Sequence, residues 1–202
     1  MDVESLFTNV PVDETIQMTL DRVYGDPTTP YLNIPEHAFH VLLEICTQKA
    51  PFSNHRGHMY TQIDGVAMGS PLGVLFANFY MGTVEQRVFE DIHQPRMYVR
   101  YIDDTFVSTN SQEEIENLRC AFHNHICLSF TIEHSQNRCL PFLDILVEQK
   151  EASVSIRVQT KRTNLGKCMN GTSECPERYK RSTISAYVRR ALSHCSSGND
   201  TL

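Results

Sequence analysis

The 202-residue chain has no Cys-x-x-Cys pair, no internal repeat, no low-complexity tract and no charged-then-apolar run at its N-terminus. The first absence removes the commonest zinc and dithiol spacings, and the next two remove solenoids and biased disordered tracts. With an odd count of seven cysteines, the sequence is expected to be that of a reduced, intracellular protein. The sequons Asn170-Gly-Thr and Asn199-Asp-Thr, relevant only to a secreted protein, are discounted. Basic residues are also scarce, 18 Lys+Arg against 24 Asp+Glu for a net charge of −6. The deficit is uneven. Residues 1–150 hold 9 basic and 20 acidic residues, net −11, whereas residues 151–202 hold 9 and 4, net +5. That excludes a uniformly basic binding surface, but suits a chain that carries metal ions in one part and grips a polyanion with another.

A long charge-free run exists only at Gly65 to Val84. It contains Ser70-Pro71, Asn78 and four glycines, which lower its helix propensity and hydropathy, so the expectation is a Gly-rich loop entering a buried helix and no membrane span. With 41% hydrophobic residues the chain is rich enough for a real core.

Periodicity places a strand at 2–8, and a helix capped by Asp13 that buries Ile16, Leu20, Val23 and Tyr24. A second helix from Pro35 would bury Phe39, Leu42, Leu43 and Cys46. A hairpin over Phe52 to Gln62 turns at Asn54-His-Arg-Gly57. Leu72, Leu75, Phe76, Phe79 and Tyr80 form one helix face. Tyr98 to Ile102 and Thr105 to Thr109 read as a hairpin with Asp103-Asp104 as its turn. Ser111 and Glu114 make a capping box for a helix carrying Ile115, Leu118, Phe122 and Ile126. Strand-like Phe130 to Glu133 follows. Pro141 to Val147 and Val154 to Gln159 read as another hairpin, and a last helix near 182–194 has Ile184, Tyr187, Val188, Ala191 and Leu192 on one face. The order is α+β, with strands too unevenly spaced for a run of βαβ units.

Two adjacent carboxylates at a hairpin tip call for a reason. Two ionised carboxylates about 6 Å apart repel by about 3 kcal/mol at an effective dielectric of about 20. Asp-rich turns are common for conformational reasons, so the pair gains meaning only from a third acid on a neighbouring strand. Magnesium takes carboxylate oxygens and keeps waters and substrate phosphates, and a two-metal phosphoryl-transfer site needs two or three Asp and little else. Asp2, at the head of Asp2-Val-Glu-Ser-Leu-Phe7, is the best supplier.

On four blocks in order the chain resembles the reverse transcriptase domain of Penelope-like retroelements. They are Asp2-Val-Glu-Ser-Leu-Phe-Thr-Asn-Val-Pro11, Gln62-Ile-Asp-Gly-Val-Ala-Met-Gly-Ser-Pro-Leu72 continuing to Ala77-Asn78, Tyr101-Ile-Asp-Asp104, and Leu140-Pro-Phe-Leu-Asp-Ile-Leu-Val147. The resemblance implies a polymerase palm, an antiparallel sheet with helices on one face, over residues 1–139, followed by a partly helical thumb-like region over 140–202. It implies that Asp2 and Asp103 hold two Mg2+ ions, with Mn2+ a workable substitute, that Asp104 supports the site, and that the Val3 carbonyl is a further ligand. It implies that Phe7 lies under the sugar of an incoming dNTP, and that Gly69, Ser70 and Pro71 lie against the nucleotide and templating base. An RNA template, a DNA primer and a nuclear location follow from the same resemblance. Because Asp2 opens the chain, a fingers region is expected to be missing, and the alternative to an active polymerase is an inert remnant that keeps the palm fold and at most binds nucleic acid.

Arg157, Lys161, Arg162, Lys180, Arg181, Arg189 and Arg190, with Tyr179 and Tyr187 between them, are candidates for contact with a nucleic-acid backbone. Cys120-Ala-Phe-His123-Asn-His125-Ile-Cys127 is dense in zinc-ligand types, but no second pair is spaced to close a tetrahedral site, and buried cysteines with surface histidines are expected. Cys168 with Cys175, and His55 with His58, are read the same way. Asp104-Thr-Phe lacks the glycine and the second copy that an aspartic protease dyad requires.

Overall fold

A computed structural model describes residues 1–25, 32–126, 128–151, 153–160, 163 and 168–196. The chain divides into two units, 1–132 and 133–202.

The first unit opens with a strand of only two residues, β1 (Asp2–Val3), where the sequence suggested one reaching Thr8. Ser5, at φ 53°, turns the chain into the left-handed region, and α1 (Leu6–Asn9) follows at once. Helix α2 (Val12–Tyr24) begins after Pro11, so Asp13 lies in its first turn and does not cap it. Carboxylates there still complement the helix dipole. Helix α3 (Glu36–Thr47) buries Leu43 only, while Leu42 and Cys46 of the expected face are exposed. Strands β2 (Pro51–Ser53) and β3 (Met59–Thr61) pair as foreseen, turned by Asn54, whose Oδ1 accepts from the N–H groups of Arg56 and His58.

Helix α4 (Pro71–Asp91) is the spine of the unit. Its covered face is Gly73, Phe76, Ala77, Tyr80, Met81, Val84 and Val88, rotated from the expected one so that Leu75 faces solvent. Glycine and alanine at 73 and 77 explain the shift, because small residues let neighbouring backbone approach where bulky ones would hold it off. Strands β4 (Met97–Tyr101) and β5 (Asp104–Ser108) follow, then α5 (Gln112–His125) and β6 (Phe130–Thr131). Ser111 Oγ accepts from the Glu114 N–H at 3.2 Å, while the Glu114 carboxylate takes the Asn110 N–H at 2.9 Å, so the capping box is displaced by one residue on its return bond.

These strands form an antiparallel sheet in the order β4-β5-β1-β6. Alternation assigns its faces. Val3 and Thr105 are buried on the helix-covered side, and Tyr98 packs there against Phe89 and Phe122. Met97, Val99 and Tyr101 are exposed on the other side. The sheet with helices packed on one face is the palm-like architecture expected from the sequence.

The second unit has a three-stranded antiparallel sheet, β7 (Cys139–Phe142), β8 (Ile145–Gln149) and β9 (Val154–Val158), and the helix α6 (Glu177–His194). The segment read as one strand over Pro141 to Val147 is a hairpin: Phe142 pairs with Ile145, and Leu143, at φ 53°, begins the turn. No residue of α6 is buried; Ile184, Tyr187, Val188 and Leu192 of its apolar face are all exposed.

Candidate active site

The hairpin joining β4 to β5 turns one residue earlier than its sequence suggests. Tyr101 pairs with Asp104, so the two turn residues are Ile102 and Asp103, and Asp104 is the first residue of a strand. Ile102 holds φ 59°. A β-branched residue in the left-handed region is uncommon and costs about 1–3 kcal/mol unless its surroundings impose it. The turn thus stores strain between the strand and Asp103.

Asp104 pairs across strands with Asp2. The hydrogen bonds around them fix what kind of pair this is. Met1 and Thr105 exchange both backbone bonds, at 2.9 and 2.7 Å, and the Val3 N–H donates to the Asp103 carbonyl at 3.1 Å. Asp2 and Asp104 therefore form the non-hydrogen-bonded pair between them, in which Cα atoms lie about 4.5 Å apart and side chains come closest. Both point away from the helix-covered face, because Val3 and Thr105 beside them point into it. Like charges directly opposite in a sheet are destabilising. The Asp2 carboxyl responds: partial burial raises its pKa most, followed by repulsion from Asp103 and then from Asp104, against a lowering by the Met1 ammonium and a backbone bond from Val3. Asp103 and Asp104 thus both act on Asp2 at one end of the sheet, Asp103 more than the cross-strand partner.

This arrangement has the donor set and the charge that magnesium takes. Among the described residues, however, no group of three His, Cys, Asp or Glu side chains already converges as a ready-made metal cage. Carboxylate donors, clustered acidic charge and an open face fit ions that complete their shells with water and substrate oxygens.

The second block of the site is locked onto the first by backbone. The Val66 N–H donates to the Phe7 carbonyl at 2.7 Å. Gly65, at φ 70°, lies so close that a Cβ there would come within 2.4 Å of the Phe7 oxygen and 2.5 Å of the Thr8 carbonyl carbon. Only glycine fits both the conformation and the space. Phe7 itself is half-buried against the core, so its ring serves packing as well as any role at the surface. Beyond Val66 the chain runs through Gly69, at φ 88°, to Ser70 and to Pro71, which opens α4 at the position proline suits best. A cavity of about 410 Å³ opens beside this loop, lined by Cys46, Phe52, Val66, Met68, Ser70 and Leu72 among others.

One set of residues was not foreseen. Arg100, on the helix-covered face of β4, extends its guanidinium beneath the turn. Its Nη1 donates to the Ile102 carbonyl at 2.9 Å and to Asn78 Oδ1 at 2.8 Å; its Nε and Nη2 grip the two oxygens of Glu85, the latter at 3.2 Å. Tyr98 Oη donates to the same carboxylate at 2.7 Å. Burial and then the Glu85 charge push the Tyr98 phenol well above its ordinary pKa, which keeps it a donor. The signal in the sequence is an arginine on the buried side of an otherwise apolar strand, a position that demands a partner.

The candidate backbone contacts lie in the second unit. Lys161 and Arg162 fall outside the described residues. Arg157, Arg181 and Arg189 are exposed. Lys180 donates to the Gly171 carbonyl at 2.7 Å, and Arg190 reaches Asp144 Oδ1 at 3.1 Å and the Gln159 carbonyl at 3.2 Å, so both are committed to their own unit. In the histidine- and cysteine-rich segment Cys120 is exposed, not buried, His125 sits 2.9 Å from the Asp91 carboxylate, and Cys127 falls outside the described residues. Among the described residues no helix is long and apolar enough to cross a membrane.

Comparison with known proteins bears on the fold and the family. The fold resembles telomerase from Candida albicans, solved in complex with a TWJ fragment of telomeric RNA, with a TM-score of 0.61 and 12% identity over 94% of this chain and 33% of that one. It also resembles apo telomerase from Candida tropicalis truncated from its C-terminal domain, with a TM-score of 0.56 and 12% identity over 76% of this chain and 34% of that one. The chain thus spans about a third of the length of these structures. No curated protein sequence matches it. The family model for reverse transcriptase (RNA-dependent DNA polymerase) matches residues 1–140, and the chain belongs to that family.

Proposed function

We propose that this chain is the palm and part of the thumb of a retroelement reverse transcriptase of Penelope-like type, which extends a DNA primer on an RNA template. The observation that carries this reading is the cross-strand pairing of Asp2 with Asp104 beside Asp103 at a strained turn. In it, Asp2 and Asp103 would hold two Mg2+ ions, Asp104 would support the site from the paired strand, and the Val3 carbonyl would be a further oxygen donor. The bound ions would supply the charge that lowers the pKa of the primer 3′-hydroxyl and stabilises the leaving pyrophosphate. The chain's own part is to keep three carboxylates together on an open sheet face. Phe7 and the Gly69-Ser70-Pro71 loop, joined through the Val66 to Phe7 bond, position the dNTP sugar and the templating base. Arg157, Lys161, Arg162, Arg181 and Arg189 offer charge to the duplex backbone.

A second reading, a nucleic-acid-binding palm without catalysis, draws on the absence among the described residues of a converged metal cage. Primer extension on an RNA template with Mg2+ or Mn2+, run beside an Asp103→Asn/Asp104→Asn control, separates the two. Extension by the wild type and its loss in the control support polymerase activity. Salt-sensitive binding without extension supports the second reading.

A further inference from the structure

We infer that Arg100 is a positioning residue for Asp103, acting through the Ile102 carbonyl and oriented by Glu85 and Asn78. The inference rests on the polymerase reading of the acidic site. A peptide unit is planar, so the group that fixes the Ile102 oxygen also fixes the N–H of Asp103 and the direction in which that residue leaves the turn. The Arg100 Nη1 bond to that oxygen, at 2.9 Å, ties a side chain directly to the turn's backbone. The turn needs such a bond because Ile102 holds φ 59°, where an isoleucine would not rest unaided.

The guanidinium is itself held on its other edges. Glu85 takes two of its nitrogens and Asn78 shares the third, and the Tyr98 hydroxyl fills the remaining approach to Glu85. Arg100 and Glu85 side chains are only 10% and 16% exposed. A buried arginine in a bidentate pair has little freedom, and its planar fork transmits that rigidity to whatever else it binds. Both Asn78 and Glu85 lie on α4, so the spine of the unit sets the tip of the hairpin. The charge of Arg100 is satisfied by Glu85 on the helix-covered side of the sheet, while Asp2 and Asp104 point to the opposite side. It therefore orients the turn before Asp103 while its own charge stays with Glu85.

The test uses the full chain and Mn2+, whose free concentration is read by its paramagnetic resonance signal. Mn2+ affinity, thermal midpoint and primer extension are measured for the wild type, Arg100→Lys, Glu85→Gln and the surface control Arg87→Ala. Lysine keeps the charge but cannot reach Glu85, Asn78 and Ile102 together. Arg100→Lys and Glu85→Gln are expected to weaken Mn2+ binding by about 10- to 100-fold, the range found for groups that orient metal ligands. Extension should fall in kcat by a similar factor with a smaller change in the KM for dNTP, and Arg87→Ala should match the wild type. A folded Arg100→Lys that binds Mn2+ as the wild type does overturns the proposal, and so does a lower thermal midpoint with unchanged affinity. If Arg100→Lys does not fold, Asn78→Ala, which removes one contact of an exposed residue, replaces it: weaker Mn2+ binding supports the role and unchanged binding overturns it. Wild-type protein that binds Mn2+ through Asp103 yet extends no primer overturns the polymerase reading and leaves the positioning role standing. Wild-type protein that binds no Mn2+ overturns both.

Discussion

Two tight hairpins in this molecule are built alike. Tyr101-Ile-Asp-Asp104 and Phe142-Leu-Asp-Ile145 each place a bulky apolar residue at positive φ in the first turn position, 59° and 53°, and an aspartate in the second. Each also has an arginine at its tip, Arg100 on the Ile102 carbonyl and Arg190 on the Asp144 carboxylate. They differ in what surrounds them. The first stands on a sheet whose back is packed by Phe76, Phe122, Met81 and other residues with no exposure, and it brings its acids opposite Asp2. The second belongs to a unit in which no described residue is a fully buried hydrophobic. One turn motif thus serves two ends. Strain becomes useful where a core over-determines the turn, and is only a tight connection where none does.

The comparison can be broken at its core first. Phe122→Ala, which empties the centre of an aromatic cluster with Phe89, Tyr98 and Phe130, should destabilise the first unit by about 3–5 kcal/mol in denaturant unfolding. Ile156→Ala, at a half-buried site of the second unit, should cost about 1–2 kcal/mol. At the turns themselves, on the polymerase reading, Asp103→Asn should reduce primer extension by about 10²- to 10³-fold, since ligands of a reacting metal supply several kcal/mol of transition-state stabilisation. Asp144→Asn should leave extension within about twofold, because on this reading it touches no reacting group. Glycine at the two positive-φ positions sharpens the contrast further. Leu143→Gly should be neutral or stabilising by up to about 1 kcal/mol, whereas Ile102→Gly should leave stability similar and still lower extension, because the turn loses its single conformation.

A smaller effect follows from Asp2. Its pKa is raised in the fold from an ordinary value of 3.8, so the folded state holds a proton that the unfolded state has lost, and stability falls as pH rises through that window. Asp2→Asn should therefore raise Tm at pH 7, an advantage that shrinks as the pH is lowered towards 4 in a series of melts. Mn2+ should narrow the same gap by binding the wild type alone. The smallest change expected is Arg87→Ala, which removes an exposed pair with Glu14 at 3.5 Å and should alter stability by less than about 1 kcal/mol.

Much of this architecture was legible in the residues. Ser111 and Glu114 announced α5, and Asn54 to Gly57 announced a turn, because caps and turns are local chemistry. The approach of Asp2 to Asp103 and Asp104 is not local in this sense: it was expected only because a metal site needs a third acid from another strand, and the sheet pairs Asp2 with Asp104. What escaped was set by tertiary contact. The covered face of α4 follows Gly73 and Ala77, where the backbone of Ala67 comes near enough that a Cβ on residue 73 would lie 2.7 Å from its oxygen, and periodicity does not weigh small residues that way. The turn at 102 escaped because two adjacent aspartates are the better turn residues by propensity, and pairing register overrode it; the turn at 143 escaped because Pro141 to Val147 reads as one apolar run in which the turn propensity of Asp144 was passed over. Arg100 was passed over since a lone cation in a strand has meaning only once Glu85 is beside it. The apolar stripe of α6 shows the converse: the helix forms, and the face that predicted it stays open.

The close approach of Gly65 to Phe7 and Thr8 carries a consequence for how such a site can evolve. A change of side chain at position 7 alters one wall and leaves its mount in place. Any side chain at position 65 wedges the two blocks apart, and so disturbs the mount of Phe7 and the start of the Gly69 loop in the same event. The first position can vary by itself, and the second is a joint through which the two blocks can only be inherited together.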